Sequence, residues 1–289
     1  MKRSPYIAVV LAAVVSAAAN AKDDNPQPNN DAIAAALSDA GGTLSRDAQG
    51  RVVSVSFADK KKLADAHLAH LADLRDLTTL DLSNAPITDA GLAHLQNLTQ
   101  LQGLYLSGTK ITDAGLVHLK RMTGLRTLTL FGTAVTGSGL SSLADAKKLE
   151  YLYAGESKFN DAGMANLKTH SSLRRLFLGG TQITDAGLVN LAGFDKIGCL
   201  LLQDTNITDA GLAHVEGLKS LGYLWLDHTK VTDAGLDHLK GLSKLHSLGV
   251  KGTAVTEAGV KRLQKVLPKC SITFGPDENE HKPKAEETR

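Results

Sequence analysis

Cysteine is scarce in this chain, which has only Cys199 and Cys270 among its 289 residues. Small secreted domains that rely on disulfides for stability carry several cysteine pairs. That class of protein is therefore excluded. The fold must be held by an apolar core, and the 43% hydrophobic content is sufficient to build one.

Long apolar runs are also missing after the first 21 residues. The run from Ile7 to Ala19 follows two basic residues and ends in small ones, which is the order of a secretory signal peptide. No later stretch approaches the roughly 20 apolar residues of a membrane-spanning helix. We therefore predict a signal peptide at residues 1–21, a secreted or periplasmic location and no membrane span.

Net charge is low, at +2 for the whole chain. It falls to zero when Lys2 and Arg3 leave with the signal peptide, so the excess positive charge typical of nucleic-acid binding is absent. The sequence also lacks a nucleophile elbow, a phosphate-binding loop and a metalloprotease helix. We expect no nucleic-acid partner, no enzymatic activity and no cofactor.

The most prominent feature of the sequence is an internal repeat, and a fixed period of this kind indicates a repeat architecture. A Leu-x-Leu motif returns every 24 residues, beginning at Leu80, Leu104, Leu128, Leu152, Leu176, Leu200, Leu224 and Leu248. Its alternation predicts a short strand, and the spacing of Leu92, Leu95 and Leu98 predicts one apolar helical stripe. Neither element buries its apolar side alone, so stacked units should form a curved parallel sheet with helices outside.

Five of the predicted helices begin with a Thr-Asp pair. The threonines are Thr88, Thr112, Thr184, Thr208 and Thr232. Threonine at this position caps a helix, and the aspartate that follows favours the positive end of the helix dipole. Gly91 and its equivalents follow, where a side chain would push neighbouring coils apart. A calcium ladder built from the aspartates is the less favoured reading.

A second threonine column follows the strands, at Thr109, Thr133, Thr181, Thr205, Thr229 and Thr253. With this column the chain resembles the leucine-rich-repeat superfamily, in which Asn, Cys or Thr at this position hydrogen-bonds backbone groups along the stack. Its Ile-Thr-Asp-Ala-Gly-Leu segments most resemble the repeats of planctomycete and other bacterial exported proteins, and are similar to the cysteine-containing class. Ala85 and Ser157 replace the threonine, so we expect a weaker ladder there.

The resemblance covers about Val52 to Phe274. It implies an α/β fold, a right-handed solenoid with a concave parallel sheet and convex α-helices. The remaining boundaries follow from the pattern: a linker at 22–30, an N-terminal cap at 31–77, repeats at 78–275 and a tail at 276–289. The linker and the tail are polar and contain proline, so we expect both to be disordered.

Aromatic residues are few but unevenly placed. Strand alternation points three residues per strand to the concave face, and about one aromatic would fall on those positions by chance. Seven do: Tyr105, Phe131, Tyr151, Tyr153, Phe177, Tyr223 and Trp225. Tyrosine, tryptophan and arginine are enriched at binding hot spots, so we predict a partner-binding site from these seven with Arg175 and Leu201. Phe57, Phe159, Phe194 and Phe274 occupy core positions instead.

The site prediction leaves alternatives open. Aromatic residues favour strands for structural reasons alone. A protein partner anchored by Tyr153, Phe177 and Trp225 is the leading interpretation; a carbohydrate- or cell-wall-binding protein using the same face is the alternative, and a purely structural spacer is the third. The middle repeats are irregular at Gly137 and Asn160, which is explained equally well by drift or by function.

Two possible metal or redox features are set aside. One helix position carries His70, His94, His118, His214 and His238. Neighbouring helices lie roughly 8–10 Å apart, whereas zinc needs several ligands at about 2.0–2.1 Å, so we expect no metal site. Cys199 and Cys270 lie three repeats apart, beyond the reach of a disulfide, and we expect free thiols.

Overall fold

The computed structural model describes residues 30–276. The predicted signal peptide and the tail beyond Pro276 lie outside the described residues. So does the predicted linker, except for Asn30, which is the first residue of a helix rather than the last of a linker.

The strands recur at the positions of the Leu-x-Leu motif. They are β1 Thr43–Arg46, β2 Val52–Ser56, β3 Thr79–Asp81, β4 Gly103–Tyr105, β5 Thr127–Thr129, β6 Tyr151–Tyr153, β7 Arg175–Phe177, β8 Cys199–Leu201, β9 Tyr223–Trp225, β10 Ser247–Lys251 and β11 Ser271–Gly275. All of them belong to one open sheet, in chain order. The hairpin β1–β2 is antiparallel, and every later pair is parallel. The predicted solenoid is confirmed.

The outer side of the coils differs in detail from the prediction. The α-helices are α1 Asn30–Asp39, α2 Asp89–Leu92, α3 Asp161–Ala165, α4 Asp185–Leu188, α5 Asp209–Leu212 and α6 Glu257–Val266. The 3₁₀-helices are Asp65–Leu71, Ala93–Leu95, Gly115–Leu119, Ser138–Leu143, Asn166–Thr169, Val189–Leu191 and Gly235–Leu239. Between β3 and β10 the α-helices are about one turn long. A 3₁₀-helix follows α2, α3 and α4, none follows α5, and the remaining coils have a 3₁₀-helix alone.

Leucine spacing explains these short outer helices. Leu92, Leu95 and Leu98 are three residues apart, and a 3₁₀-helix with three residues per turn aligns them on one line. In α6 the buried residues Val260, Leu263 and Leu267 have gaps of three and then four, the spacing of an α-helix. The predicted helical stripe is confirmed, and in four of the nine outer segments that the structure describes it lies on a 3₁₀-helix alone.

The core is one continuous column of apolar side chains along the stack. Within a coil, Leu80 and Leu82 point inward from the strand while Leu92 and Leu95 point inward from the outer side, and all four are fully buried. Removal of this much apolar surface from water is the main stabilising term of the fold. It also makes the sheet a rigid support for whatever its other face carries.

The Thr-Asp pairs link neighbouring coils as well as capping helices. Asp89 Oδ1 accepts the backbone N–H of Thr112 in the next coil at 2.8 Å, and its Oδ2 accepts the Thr112 hydroxyl at 2.6 Å. The same bridge joins Asp65–Thr88, Asp113–Thr136, Asp161–Thr184, Asp185–Thr208, Asp209–Thr232 and Asp233–Thr256. Thr112 also accepts the N–H of Ala114, as predicted for a cap.

One junction lacks this bridge. Gly137 stands where the other coils have aspartate, and Asn160 stands where they have the bridging threonine. The backbone N–H of Asn160 instead donates to Thr136 O at 3.2 Å. The buried ring of Phe159 fills the remaining space, because a Cβ on Gly137 would lie 2.5 Å from it. An aromatic contact therefore replaces the carboxylate at this junction.

The second threonine column acts within each coil. The Thr109 hydroxyl donates to Leu106 O, three residues back, at 2.6 Å, and its equivalents do the same. The expected bond along the stack was wrong for these side chains, because each hydroxyl donates to the carbonyl three residues back in its own turn. The predicted weakness at Ser157 was also wrong, since its hydroxyl donates to Ala154 O at 2.5 Å.

The C-terminal end of the stack is open. Phe274 was predicted to be core, but its side chain is 38% exposed. It pairs in register with Val250, which is fully buried. Among the described residues no coil follows β11, so the position that is internal elsewhere becomes a partly exposed edge.

Candidate functional site

The predicted site residues form adjacent columns across the sheet. Tyr151 pairs in register with Arg175, and Tyr153 with Phe177. The first column continues through Cys199 to Tyr223, and the second through Leu201 to Trp225. Because the inward leucine lies between the two columns on every strand, both columns share the opposite, concave face. We call the nine predicted residues the aromatic face: Tyr105, Phe131, Tyr151, Tyr153, Arg175, Phe177, Leu201, Tyr223 and Trp225.

Two ring contacts order the middle of the aromatic face. The Tyr153 and Phe177 rings meet edge to face, with centroids 4.6 Å apart and an interplanar angle of 87°. The guanidinium of Arg175 lies over the Tyr151 ring, 5.5 Å from its centroid. Both are favourable geometries for aromatic groups. They hold these four side chains in defined positions before any partner arrives.

The residues of the aromatic face differ in exposure. Tyr223 is 51% exposed, and Arg175 is exposed as well. Tyr105, Phe131, Tyr151, Phe177 and Trp225 are half-buried. Seven of the nine predicted residues are thus at least partly accessible to a partner.

Tyr153 and Leu201 are the exceptions, with only 7% and 3% exposure. Phe177 packs edge-on against Tyr153, and Leu201 lies in register between Phe177 and Trp225. Tyr153 is therefore covered by Phe177, and Leu201 by the larger rings on either side of it. The expectation that these two side chains face solvent is corrected, and both support the surface from below.

The partly covered phenols are uncharged at neutral pH. Burial raises the pKa of Tyr105 to about 12, with a further contribution from the nearby Asp81. Burial also raises the pKa of Tyr153, although Arg175 opposes the change. The Tyr105 hydroxyl, which is half-buried, can therefore donate a hydrogen bond to a partner as a neutral group.

Asp227 is a buried carboxyl beside Trp225 that the sequence reading missed. It is 6% exposed, accepts the backbone N–H of Lys251 at 2.6 Å, and burial raises its pKa. A Cβ on Gly249 would lie 2.7 Å from the Trp225 ring and 2.6 Å from Asp227, so the glycine makes room for both. Gly249 lies inside a strand, and a glycine in that position could have indicated a close approach by neighbouring groups.

A row of charged residues also escaped the sequence reading. Arg126, Glu150 and Arg174 each precede a strand by one residue, at the border of the aromatic face. Glu150 Oε1 lies 2.6 Å from Arg126 Nη1, and its Oε2 lies 3.3 Å from Arg174 Nε. The signal was the 24-residue period itself, which places all three in the same position of successive coils.

Histidine and cysteine do not assemble into a reactive centre. Within residues 30–276 the structure has no group of three or more His, Cys, Asp or Glu placed to hold a metal ion. Cys199 and Cys270 are free, and burial raises the pKa of each thiol to about 11. Thiols of this kind are poor nucleophiles at neutral pH.

Comparisons with known proteins agree with this architecture. A family model described as a leucine rich repeat matches residues 74–95 and 169–192. The match covers a small part of the chain, and it agrees with the parallel ladder of coils. The finer repeat type stays a prediction. No match was found among curated proteins.

Solved structures show the same fold at low identity. Internalin C2 from Listeria monocytogenes is 24% identical, with a TM-score of 0.58 over 82% of this chain and 100% of that chain. The plant peptide hormone receptor RGFR1, in complex with RGF2, is 16% identical with a TM-score of 0.58 over 81% of this chain. The PEPR1–AtPEP1 structure is 17% identical with a TM-score of 0.54. This chain spans only 37% of the RGFR1 chain and 36% of the matched chain in the PEPR1–AtPEP1 structure.

Across residues 30–276, none of the helices is both long enough and apolar enough to cross a bilayer.

Proposed function

We propose that this protein is an exported, non-catalytic binding module that recognises a protein partner through the aromatic face. The observation that carries the proposal is the concentration of tyrosine and tryptophan on one side of a rigid ladder, with Tyr151, Tyr223 and Trp225 still accessible. Exposed aromatic clusters are uncommon on monomers. Aromatic groups that are already ordered lose little side-chain freedom on binding.

A protein or peptide partner is favoured by the relatives in fold. One of the similar structures is a plant peptide hormone receptor in complex with RGF2, and another is the PEPR1–AtPEP1 structure. Their likeness concerns the fold alone, so it supports the class of partner and not its identity. Flat aromatic groups also stack on sugars, which makes glycan binding the outcome to test against.

Affinity capture with matched variants tests the proposal. We expect Tyr151→Ala/Tyr223→Ala/Trp225→Ala to lose a partner that the wild type captures from the exported fraction. Trp225 is kept from the anchors predicted from sequence. Tyr151 and Tyr223 replace Tyr153 and Phe177, because Tyr153 is buried against Phe177 and the loss of either ring would disturb packing. Val117→Ala/Val189→Ala is the control, since both valines are exposed on the outer side, at 45% and 47%.

The outcomes separate the candidate functions. Loss of capture in the aromatic variant alone, with unchanged circular dichroism, supports protein binding at this face. Retention only on a glycan array, abolished by the same variant, supports the carbohydrate alternative. Equal capture by both variants places the interface elsewhere and overturns the proposal.

Export is part of the proposal and has its own test. The apolar run Ile7 to Ala19 after two basic residues supports a cleaved signal peptide. We expect protein recovered from the periplasm or medium to begin at Lys22 when its N-terminus is sequenced. Recovery of the chain from the cytoplasm with its first residues intact would contradict export.

A further inference from the structure

We propose that the border of the aromatic face at Arg126, Arg174 and Arg175 selects an acidic, extended segment of the protein partner. This inference rests on the proposed function and adds the chemistry of the partner to it. It comes from a charge imbalance: three arginines lie close together on adjacent coils, and one carboxylate, Glu150, pairs with two of them.

Glu150 fixes the position of the arginines without neutralising them. Its two oxygens each hold a different guanidinium, and its own side chain is only 21% exposed. The side chains of Arg126 and Arg174 keep 50% and 57% exposure, so each retains donors that point to solvent. The row therefore presents positive charge in defined positions.

Arg175 joins this row to the aromatic face. It follows Arg174 in the chain, is exposed, and stacks over Tyr151. A partner that contacts the Tyr151 ring therefore also lies close to the guanidinium of Arg175. The exposed Lys147 and Lys148, in the loop before β6, add two positive charges, against one negative charge from Asp145.

The space beside the row is open. Gly198 occupies the equivalent position in the next coil, and a Cβ there would meet nothing closer than the carbonyl oxygens of Ser220 and Arg174, at 3.7 and 3.9 Å. A chain crossing the sheet can therefore approach the backbone next to Arg174. Tyr223, the most exposed aromatic residue of the face, stands one coil further on.

Sheet geometry sets the spacing of the ligand charges. Arg126 and Arg174 precede strands two apart, so their backbones are separated by about 9–10 Å. In an extended peptide with about 3.3 Å per residue, acidic residues two or three positions apart span this distance within the reach of the arginine side chains. Arginine forks bind carboxylates with two parallel hydrogen bonds.

Synthetic peptides provide the probe. Three labelled dodecapeptides alternate tyrosine with glutamate, serine or lysine, and their binding to the mature protein is measured by fluorescence anisotropy. We expect the glutamate peptide to bind most tightly and the lysine peptide not to bind. We expect added salt to weaken the glutamate complex, because exposed charges are screened.

Charge variants then test the residues. We expect Arg126→Glu/Arg174→Glu to lower affinity for the glutamate peptide by roughly tenfold or more, since like charges across an interface repel. Arg126→Gln/Arg174→Gln should lower it in the same direction without introducing repulsion against Glu150. Arg121→Glu/Lys168→Glu on the outer side carries the same change in net charge and should leave the affinity unchanged.

Failure of this inference is distinguishable from failure of the proposed function. Equal binding of the serine and glutamate peptides, lost in the aromatic variant, overturns the acidic preference and keeps the aromatic face. If the arginine variants lose the glutamate peptide and the aromatic variant still binds it, the acidic preference is supported and the proposed role of the aromatic face is overturned. Tighter binding of a heparin fragment than of the peptide assigns the site to a sulfated glycan and overturns the inference, as does absence of binding to all three peptides.

Discussion

The carboxylate of Asp89 serves two coils at once: it lies in the first turn of α2 and accepts both the backbone N–H and the hydroxyl of Thr112, which belongs to the next coil. Hydrogen bonds to charged groups contribute about 1.5–3 kcal/mol to stability. The repetition of this bridge along the stack makes it a main polar contact between coils, in addition to the leucine core.

A double-mutant cycle on Asp89 and Thr112 should therefore show coupling. We expect Asp89→Ala to lower the free energy of unfolding by roughly 2 kcal/mol, and the pair to couple by about 1–2 kcal/mol. Urea denaturation of the four proteins measures both. Asp195→Ala, at an exposed loop position, is the control. Additive effects of the two single changes would contradict a direct bridge.

The glycine after each Asp-Ala pair should tolerate no side chain. A Cβ on Gly187 would lie 2.4 Å from Asp161 Oδ1 of the preceding coil. We expect Gly187→Ala to destabilise the protein by roughly 1–3 kcal/mol, the usual range for overpacking. Gly217 has nothing within 4 Å of its Cβ position. Gly217→Ala should be neutral or stabilising by about 0.4–1 kcal/mol, and equal losses in the two variants would refute the close approach.

His170 should make stability depend on pH. Its side chain is fully buried, and burial lowers its pKa below the ordinary 6.5, helped by the charge of Lys147 and opposed by the hydrogen bond to Ala146 O. The folded state then binds its proton less readily than the unfolded state. Stability is complete above pH 6.5 and declines as pH falls from there toward the lowered pKa.

The variant His170→Leu tests this directly. Leucine occupies the equivalent positions 98, 218 and 242, and Nε2 of His170 has no hydrogen-bond partner in the described chain. We expect the leucine variant to be more stable by about 1 kcal/mol at neutral pH, since a buried unpaired polar group is removed. The gain should grow between pH 7 and pH 5 in urea titrations. A gain that is constant with pH would show that His170 does not titrate on unfolding.

Tyr105 should ionise only at high pH. Burial raises its pKa to about 12, and its ring packs over Gly103, where a Cβ would lie 3.1 Å away. We expect a spectrophotometric titration to show a tyrosinate phase near pH 12 that disappears in Tyr105→Phe. A variant titration that keeps this phase would assign it to another phenol.

Much of the fold was accessible from the sequence because the period is so regular. Strand positions, inward leucines and the capping threonines such as Thr88 followed from spacing alone. The outer 3₁₀ turns were not recognised, because Leu92, Leu95 and Leu98 were compared with an α-helical stripe and not with one of three residues per turn. The bridge from Asp89 to Thr112 needed the offset between coils, which spacing does not reveal.

The positions of the candidate residues on the sheet could be predicted from the sequence, but their exposure and mutual contacts could not. Strand alternation correctly set Tyr151, Tyr153 and Phe177 on one side of the sheet. It could not show that Phe177 covers Tyr153, because that depends on rotamers across strands. Arg126 and Arg174 were missed because they lie one residue before the strands, outside the positions that alternation considers.

The junction between Gly137 and Asn160 gives the stack an uneven response to acid. Hydrogen bonds from Thr136, Gly137 and Gly139 outweigh burial and hold the pKa of Asp113 below its usual 3.8, so that bridge loses its contribution as the pH falls through this range. The contact made by Phe159 carries no proton. Strong acid should therefore weaken the bridge from Asp113 to Thr136, and leave the aromatic contact at the neighbouring junction between Gly137 and Asn160 unchanged.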